Sequence, residues 1–249
     1  MSPAPAHSCL VKICGLSTPE TLEAAIAAGA DQIGLVHFPR SPRHVDLVRG
    51  AALSLQARGR AERVALLVDP DDALVDAVIA ALSPDWLQLH GRESPERVAA
   101  LRARTGRPVM KALGIATADD LAGVLRYAAS ADRLLYDAKP GPGAILPGGN
   151  GHAFDWSLLE DAGRDTPFML SGGLTPETVA EAVAITAAQA VDVSSGVESA
   201  PGRKDPDRIA AFLAAARAAA GVARAAAGAP GTAAAAASEP QIAPAARRA

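Results

Sequence analysis

The chain has 249 residues, of which 49% are hydrophobic and 20% charged. This composition excludes a wholly disordered chain, and the net charge of −3 argues against a nucleic-acid-binding protein, which usually presents a basic face. The only cysteines, Cys9 and Cys14, are too far apart along a strand to form a disulfide, which predicts a cytoplasmic protein. We recognise no signal peptide and no membrane-spanning run, so we expect no membrane partner.

Eight short apolar runs alternate with Ala- and Leu-rich segments of helical character. Their nearly regular spacing fits a repeating unit of one strand, one helix and two loops. Most runs are continuously apolar, as is typical of strands buried on both faces of a parallel sheet. The predicted strands are Leu10–Ile13, Gln32–Val36, Arg63–Val68, Trp86–His90, Pro108–Ala112, Leu134–Asp137, Phe168–Ser171 and Val191–Ser194.

Helix starts are marked by a recurring pattern of a capping residue, a proline and an acid. The pattern occurs at Ser17-Thr18-Pro19-Glu20, Ser94-Pro95-Glu96 and Thr175-Pro176-Glu177, and Asp205-Pro206 opens the last helix. The hydroxyl caps free N–H groups, proline suits the first turn, and the acid faces the positive end of the helix dipole.

Eight strand–helix units predict an α/β fold of one domain, a (β/α)8 or TIM barrel over residues 9–220. A doubly wound open sheet is the alternative. Residues 221–249 are rich in Ala, Gly and Pro and have almost no large apolar side chains, so they predict a disordered tail. A helical continuation to about Ala227 is compatible with this pattern.

In such barrels the active site lies at the C-terminal ends of the strands. Cys14 ends the first predicted strand, where it is either a small buried core residue or a reactive base or nucleophile. Lys111, near the end of the fifth strand, is also a candidate for the barrel mouth.

Asp137, at the end of the sixth strand, is costly to bury unless it is paired or used in chemistry. The structural alternative is an ion pair with Lys139 or Arg43. Arg43 itself is either a surface residue or the planar fork that binds a substrate carboxylate.

Glycine-containing turns follow the seventh and eighth strands. Gly172-Gly173 and Ser195-Gly196 occupy the usual phosphate-binding position of such barrels, where backbone N–H groups can approach an anion closely. The Gly- and Pro-rich loop over residues 138–152 is either a lid or a slack surface loop. The histidines have no metal-ligand spacing, so we expect no metal site.

Seven motifs, in order along the chain, resemble phosphoribosylanthranilate isomerase. The resemblance covers about Leu10 to Arg217. The motifs are Val11-Lys12-Ile13-Cys14-Gly15, the stretch from Gly29-Ala30-Asp31 to Gly34, Ser41-Pro42-Arg43, Gln88-Leu89-His90-Gly91, Phe154-Asp155-Trp156, Ser171-Gly172-Gly173-Leu174 and Val191-Asp192-Val193-Ser194-Ser195-Gly196-Val197-Glu198.

The resemblance implies a (β/α)8 barrel that converts N-(5-phosphoribosyl)anthranilate to 1-(2-carboxyphenylamino)-1-deoxyribulose 5-phosphate in tryptophan biosynthesis. Cys14 would be the general base, Asp137 the general acid and Arg43 the ligand of the anthranilate carboxylate. Gly172, Gly173, Ser195 and Gly196 would bind the phosphate of this phosphosugar. No cofactor is implied, and we expect a monomer or homodimer.

Three other functions share features with this sequence. One is the related sugar isomerase of histidine synthesis, or an enzyme that serves both pathways. That family has an Asp at the end of its first strand, where Cys14 stands here. A Schiff-base aldolase would use Lys111 or Lys139, and a non-catalytic phosphosugar-binding relative would not need both Cys14 and Asp137. Thr178 departs from the Asn that is usual in the resembled family.

Overall fold

The structure is a computed structural model that describes residues 9–139, 141, 148, 154–160 and 168–228. All eight predicted strands are present and pair in parallel into a closed barrel. The strands are β1 (Leu10–Cys14), β2 (Gln32–Val36), β3 (Glu62–Leu67), β4 (Trp86–Leu89), β5 (Val109–Ile115), β6 (Arg133–Ala138), β7 (Phe168–Leu170) and β8 (Ala190–Val193). Because β1 pairs with both β2 and β8, the prediction of a barrel is confirmed and the open-sheet alternative is wrong.

Seven α-helices surround the barrel within the described ranges. They are α1 (Pro19–Ala27), α2 (Leu47–Ala57), α3 (Asp72–Leu82), α4 (Pro95–Thr105), α5 (Ala118–Val124), α6 (Val179–Thr186) and α7 (Pro206–Gly228). Single 3₁₀ turns lie at Leu125–Tyr127, Trp156–Leu159 and Ser195–Val197. The barrel and its helices bury the main apolar core between them.

The helix starts agree with the predicted caps at two of the three full patterns. The Thr18 and Ser94 side chains accept the backbone N–H groups of Thr21 and Arg97. At the third pattern, α6 begins later than its proline predicts. There the Thr178 hydroxyl accepts the N–H of Thr175, which closes a separate turn before the helix.

Side chains alternate between the barrel interior and the layer beneath the helices. In β1, Val11 and Ile13 belong to the apolar layer under the helices, whereas Cys14 packs at the barrel mouth against Val36 and Leu66. The opposite end of the interior is filled by a second small cluster: Met110, Ala112, Leu135, Met169 and Ala190. The barrel is therefore a packed core with one polar, accessible end.

A short hairpin between β8 and α7 was not predicted. Its strands are β9 (Glu198–Ala200) and β10 (Arg203–Lys204), which pair antiparallel. Beyond it, α7 continues to Gly228, in keeping with the helical continuation that the sequence allowed. Residues 229–249 of the predicted tail, and most of the 138–152 loop, lie outside the described residues.

Candidate active site

A cavity opens at the C-terminal ends of the strands. It brings together residues that the sequence places on separate strands and loops. Its polar lining includes Cys14, Ser41, Arg43, His90, Asp137, Lys139, Ser171, Asp192, Ser194 and Ser195, and its apolar lining includes Val36, Phe38, Leu66 and Val68. The cavity therefore combines titratable groups with an apolar wall.

Cys14 ends β1 with its side chain directed into the barrel and only 4% exposed. Its partner across the sheet is Gly34 in β2. A Cβ at position 34 would lie 2.9 Å from the Cys14 Sγ and 3.1 Å from the Lys12 Nζ, so the absent side chain of Gly34 leaves room for both groups. Burial raises the pKa of the Cys14 thiol, and the positive charge of Lys12 opposes that rise.

Lys12 is fully buried inside the barrel, where its Nζ lies 2.8 Å from Asp192 Oδ1. The second carboxylate oxygen of Asp192 accepts a hydrogen bond from the Ser171 hydroxyl at 3.2 Å. Burial alone would lower the pKa of Lys12, but the negative charges of Asp192 and Cys14 outweigh it and the pKa is raised. The raised pKa favours the ammonium form of Lys12 beside the thiol.

Asp137 lies near the end of β6 and is 5% exposed. Its Oδ1 accepts the N–H of Ala138 at 2.9 Å, and its Oδ2 lies 3.3 Å from the His90 Nε2. The His90 Nδ1 in turn lies 3.2 Å from the Gln88 Nε2. One oxygen of the carboxyl group is therefore fixed by the backbone, and the other meets an imidazole at the cavity.

The predicted alternative that Asp137 pairs with Lys139 or Arg43 is wrong. Lys139 binds Asp120 at 2.7 Å. Arg43 binds Glu198, as described next. The side-chain neighbour of Asp137 is instead His90, because the end of β4 and β6 direct these side chains into the same cavity.

Arg43 is buried, so its alternative assignment as a surface residue is also wrong. Its Nε and Nη2 donate to the two carboxylate oxygens of Glu198 at 2.7 and 2.9 Å, in a bidentate arrangement. Gly15, at φ +78°, packs closely against it: a Cβ there would lie 2.6 Å from the Arg43 Cδ. Arg43 is thus held at the cavity wall.

The predicted glycine turns lie at the cavity, but not all of their residues line it. Gly172, Gly173 and Ser195 do so. Gly172 has φ +84°, and a Cβ there would overlap the backbone nitrogen of Ala138. Gly196 is not among the lining residues. A Cβ there would overlap the Leu174 carbonyl oxygen, and its own carbonyl accepts two hydrogen bonds from Arg208.

Lys111 does not reach the cavity, contrary to the expectation that it lies at the barrel mouth. It faces outward from β5, where its Nζ donates to Glu93 Oε2 and to the Gly91 carbonyl, both at 2.8 Å. The strand continues past it to Ile115. Because this amine is buried and hydrogen-bonded on the outer face of the barrel, a substrate in the cavity cannot reach it. Lys111 is therefore excluded as a Schiff-base residue.

Comparison with known proteins places this arrangement in a family. The family model of N-(5'-phosphoribosyl)anthranilate (PRA) isomerase matches residues 11–215. The chain belongs to the PRA isomerase family. Its activity is the isomerisation for which that family is named, a reaction of tryptophan biosynthesis.

Individual relatives agree with this assignment. The chain is 61% identical over 214 residues to N-(5'-phosphoribosyl)anthranilate isomerase of Azorhizobium caulinodans, covering 86% of this chain and 94% of that protein. It is also 61% identical over 208 residues to the Rhodopseudomonas palustris enzyme from strain BisA53, covering 84% and 95%.

Solved structures of PRA isomerases have the same fold. The Thermotoga maritima enzyme superposes with a TM-score of 0.76 at 33% identity, covering 84% of this chain and 99% of that one. A PRA isomerase in complex with reduced 1-(o-carboxyphenylamino)-1-deoxyribulose 5-phosphate superposes with a TM-score of 0.74 at 31% identity, with the same coverage.

Several residues of the site were not assigned a role from the sequence. Asp192 and Ser171 anchor Lys12, His90 contacts Asp137, and Glu198 binds Arg43. The alternation of β1 offers one signal, because Lys12 stands two residues before Cys14 and shares its face. Among the described residues, no group of three His, Cys, Asp or Glu side chains could hold a metal ion. The helices of the same residues lack the length and hydrophobicity of a membrane-spanning segment.

Proposed function

We propose that this chain performs the Amadori rearrangement of N-(5-phosphoribosyl)anthranilate with Asp137 as general acid and Cys14 as general base. The observation that carries this proposal is that both side chains line one cavity from separate strands, β6 and β1. The product is 1-(2-carboxyphenylamino)-1-deoxyribulose 5-phosphate, an isomer of the substrate. An acid and a base on different walls suit a reaction that protonates one atom and deprotonates another.

The first step opens the ribose ring. Asp137, in its protonated form, delivers a proton to the ring oxygen as the bond from that oxygen to C1′ breaks. The lone pair of the anthranilate nitrogen forms the C1′–N iminium. The contacts of Asp137 with the Ala138 N–H and with His90 support this role, because they fix the carboxyl group while it faces the cavity.

The second step removes a proton from C2′, which the adjacent iminium has made acidic. The Cys14 thiolate takes this proton, and the electrons of the C–H bond form the enolamine. Protonation at C1′ and loss of the hydroxyl proton at C2′ then give the ketone. The Lys12 ammonium favours the thiolate that this step requires, against the effect of burial.

The two ends of the substrate are bound at different parts of the cavity. Gly172, Gly173 and Ser195 line it after β7 and β8, where phosphates bind in such barrels. Gly196 shapes this turn from behind. Arg43 binds the anthranilate carboxylate, and the apolar wall that includes Phe38 accepts the aromatic ring.

Neither a metal nor an organic cofactor is required, because the iminium of the substrate accepts the electrons. The remaining assignments are predictions from the sequence: a catalytic barrel over residues 9–220, a tail over 221–249, a cytoplasmic location, and a monomer or homodimer. We propose no nucleic-acid or membrane partner.

Loss of anthranilate fluorescence from freshly generated N-(5-phosphoribosyl)anthranilate tests the proposal. We expect rapid decay with the wild-type chain, and at least about 10²-fold slower turnover in Cys14→Ser and Asp137→Asn, the usual scale for an acid or base. Near-wild-type turnover in either variant would refute its assigned role. Decay no faster than the spontaneous background with the wild-type chain would favour the binding-only alternative.

A further inference from the structure

The hairpin between β8 and α7 packs against the loop that carries Arg43. Gly202, at its tip, has φ +79°, and a Cβ there would lie 2.5 Å from the Pro42 carbonyl oxygen. The Gly202 N–H donates to Glu198 Oε2 at 3.1 Å. Because the tip is this close to Pro42, the hairpin supports the backbone immediately before Arg43.

Lys204, at the end of this hairpin, lies opposite Glu198 in the strand pairing. Its side chain is buried, and its Nζ donates to Glu198 Oε1 at 2.8 Å, to the Ser194 carbonyl at 2.8 Å and to the Ser194 hydroxyl at 3.2 Å. An ammonium group has three protons and no acceptor, so these three bonds use its full capacity.

These contacts connect the carboxylate-binding side of the cavity to Cys14. Because the Ser194 Oγ accepts from Lys204, its own proton is directed to the Cys14 carbonyl, 3.2 Å away. On the other side, Glu198 shares its two oxygens between Lys204 and the Arg43 fork. Lys204 therefore contacts both Glu198, which binds Arg43, and Ser194, which binds the Cys14 carbonyl.

The charges of this cluster point to a role in selecting an anion. Arg43 and Lys204 are two cations that share the Glu198 carboxylate, so these three residues together carry one net positive charge. Without Lys204, Arg43 and Glu198 would form a neutral pair. A guanidinium–carboxylate pair without net charge has less attraction for a second carboxylate than a cluster with a net positive charge.

We propose that Lys204 is a specificity-determining positioning residue. It holds Glu198 and thereby orients the Arg43 guanidinium, and it supplies the net charge that favours substrates with a carboxylate on the aromatic amine. This proposal rests on the proposed function, in which Arg43 binds that carboxylate.

A comparison of two substrates, one with the carboxylate and one without it, distinguishes this role of Lys204 from a general structural role. N-(5-phosphoribosyl)anthranilate has the carboxylate, and N-(5-phosphoribosyl)aniline, made from ribose 5-phosphate and aniline, lacks it. In Lys204→Met we expect kcat/KM for the first substrate to fall about 10- to 100-fold, mostly through KM, as for loss of a buried charge contact. The second substrate should be little affected. Arg203→Met, at the exposed neighbouring position, is the matched control and should leave both unchanged.

Arg43→Gln distinguishes failure of this proposal from failure of the proposed function. If Arg43→Gln discriminates between the substrates and Lys204→Met does not, the role of Lys204 is refuted while that of Arg43 stands. If Arg43→Gln affects both substrates alike, the carboxylate-binding role of Arg43 fails. Equal losses for both substrates in Lys204→Met would also overturn the proposal.

The pH dependence of the wild-type chain provides a test that needs no variant. Burial lowers the pKa of Lys204 to about 8, although Glu198 from β9 opposes that shift. Among the described residues, the other charged or titratable groups that act on it are Arg43 from the β2–α2 loop and Cys14 from β1. Lys204 is charged below this pKa, so the preference for the carboxylated substrate should decline as the pH rises past about 8. Titration of Cys14 affects both substrates and cancels in their ratio, so a constant ratio from pH 7 to pH 9.5 would overturn the proposal.

Discussion

The Lys12 ammonium lies 2.8 Å from the Asp192 carboxylate, and the two side chains are 0% and 5% exposed. The residues are paired across neighbouring strands, β1 and β8, although they are far apart in the chain. A buried ion pair contributes little net stability compared with apolar residues, but removal of one partner is costly. The Lys12–Asp192 pair lies next to Cys14, so we infer that its role is functional: it places a positive charge beside the proposed base.

We expect Lys12→Met to lower the free energy of unfolding by about 3–5 kcal/mol, because it leaves the Asp192 carboxylate buried without its cation. The double variant Lys12→Met/Asp192→Leu should recover most of that loss. Urea denaturation of the single and double variants measures both values. Additive losses would show that the two residues are not coupled.

The pKa of Cys14 is raised by burial and held down in part by Lys12. The thiolate fraction, and with it the rate of alkylation by iodoacetamide, should rise with pH up to a midpoint above the ordinary value for a cysteine. In Lys12→Gln that midpoint should move to still higher pH. The experiment uses a Cys9→Ala background, with mass spectrometry to locate the adduct, and an unchanged midpoint in Lys12→Gln would contradict the electrostatic role of Lys12.

Gly34→Ala tests the packing between the thiol and the ammonium. The new Cβ would lie 3.0 Å from the Cys14 Cα, a backbone atom that cannot move easily. Overpacking of this kind costs about 1–3 kcal/mol, and we expect turnover to fall because the thiol is displaced. Gly123→Ala in α5, where only the end of the Arg126 side chain is near, is the control and should retain stability and turnover. Equal behaviour of the two variants would refute this account of Gly34.

The variant Lys111→Met tests whether Lys111 has a structural or a catalytic role. Its loss leaves the buried Glu93 carboxylate without a cation, so we expect about 3–5 kcal/mol of destabilisation. Turnover at a temperature where the variant is folded should be largely retained. A variant that is stable but inactive would instead revive the Schiff-base alternative.

Much of the fold could be predicted because each strand–helix unit carries its own local signals. Buried strands are continuous apolar runs, and Thr18 and Ser94 mark helix starts by capping. The β9–β10 hairpin escaped prediction because two- and three-residue strands have no periodicity to detect. The outward direction of the Lys111 side chain could not be predicted either. Because β5 has apolar residues on both faces, no alternation of polar and apolar residues shows which face is which.

The candidate site was predictable in its position but less so in its contacts. Cys14 and Asp137 stand at strand ends, and strand ends meet at one face of a barrel. Their neighbours come from distant parts of the chain: Asp192 is 180 residues from Lys12, and Glu198 is 155 from Arg43. Such pairs are set by barrel closure and register, which leave no local pattern in a single sequence.

The most direct test of the central claim is the kinetic isotope effect with substrate deuterated at C2′ of the ribosyl group. If the Cys14 thiolate removes this proton, Cys14→Ser should make that step limiting, and its residual turnover should be strongly slowed by deuterium. Asp137→Asn should show a smaller effect, because ring opening then limits the rate. A slow Cys14→Ser variant whose turnover is insensitive to deuterium would contradict the assignment of Cys14 as the base.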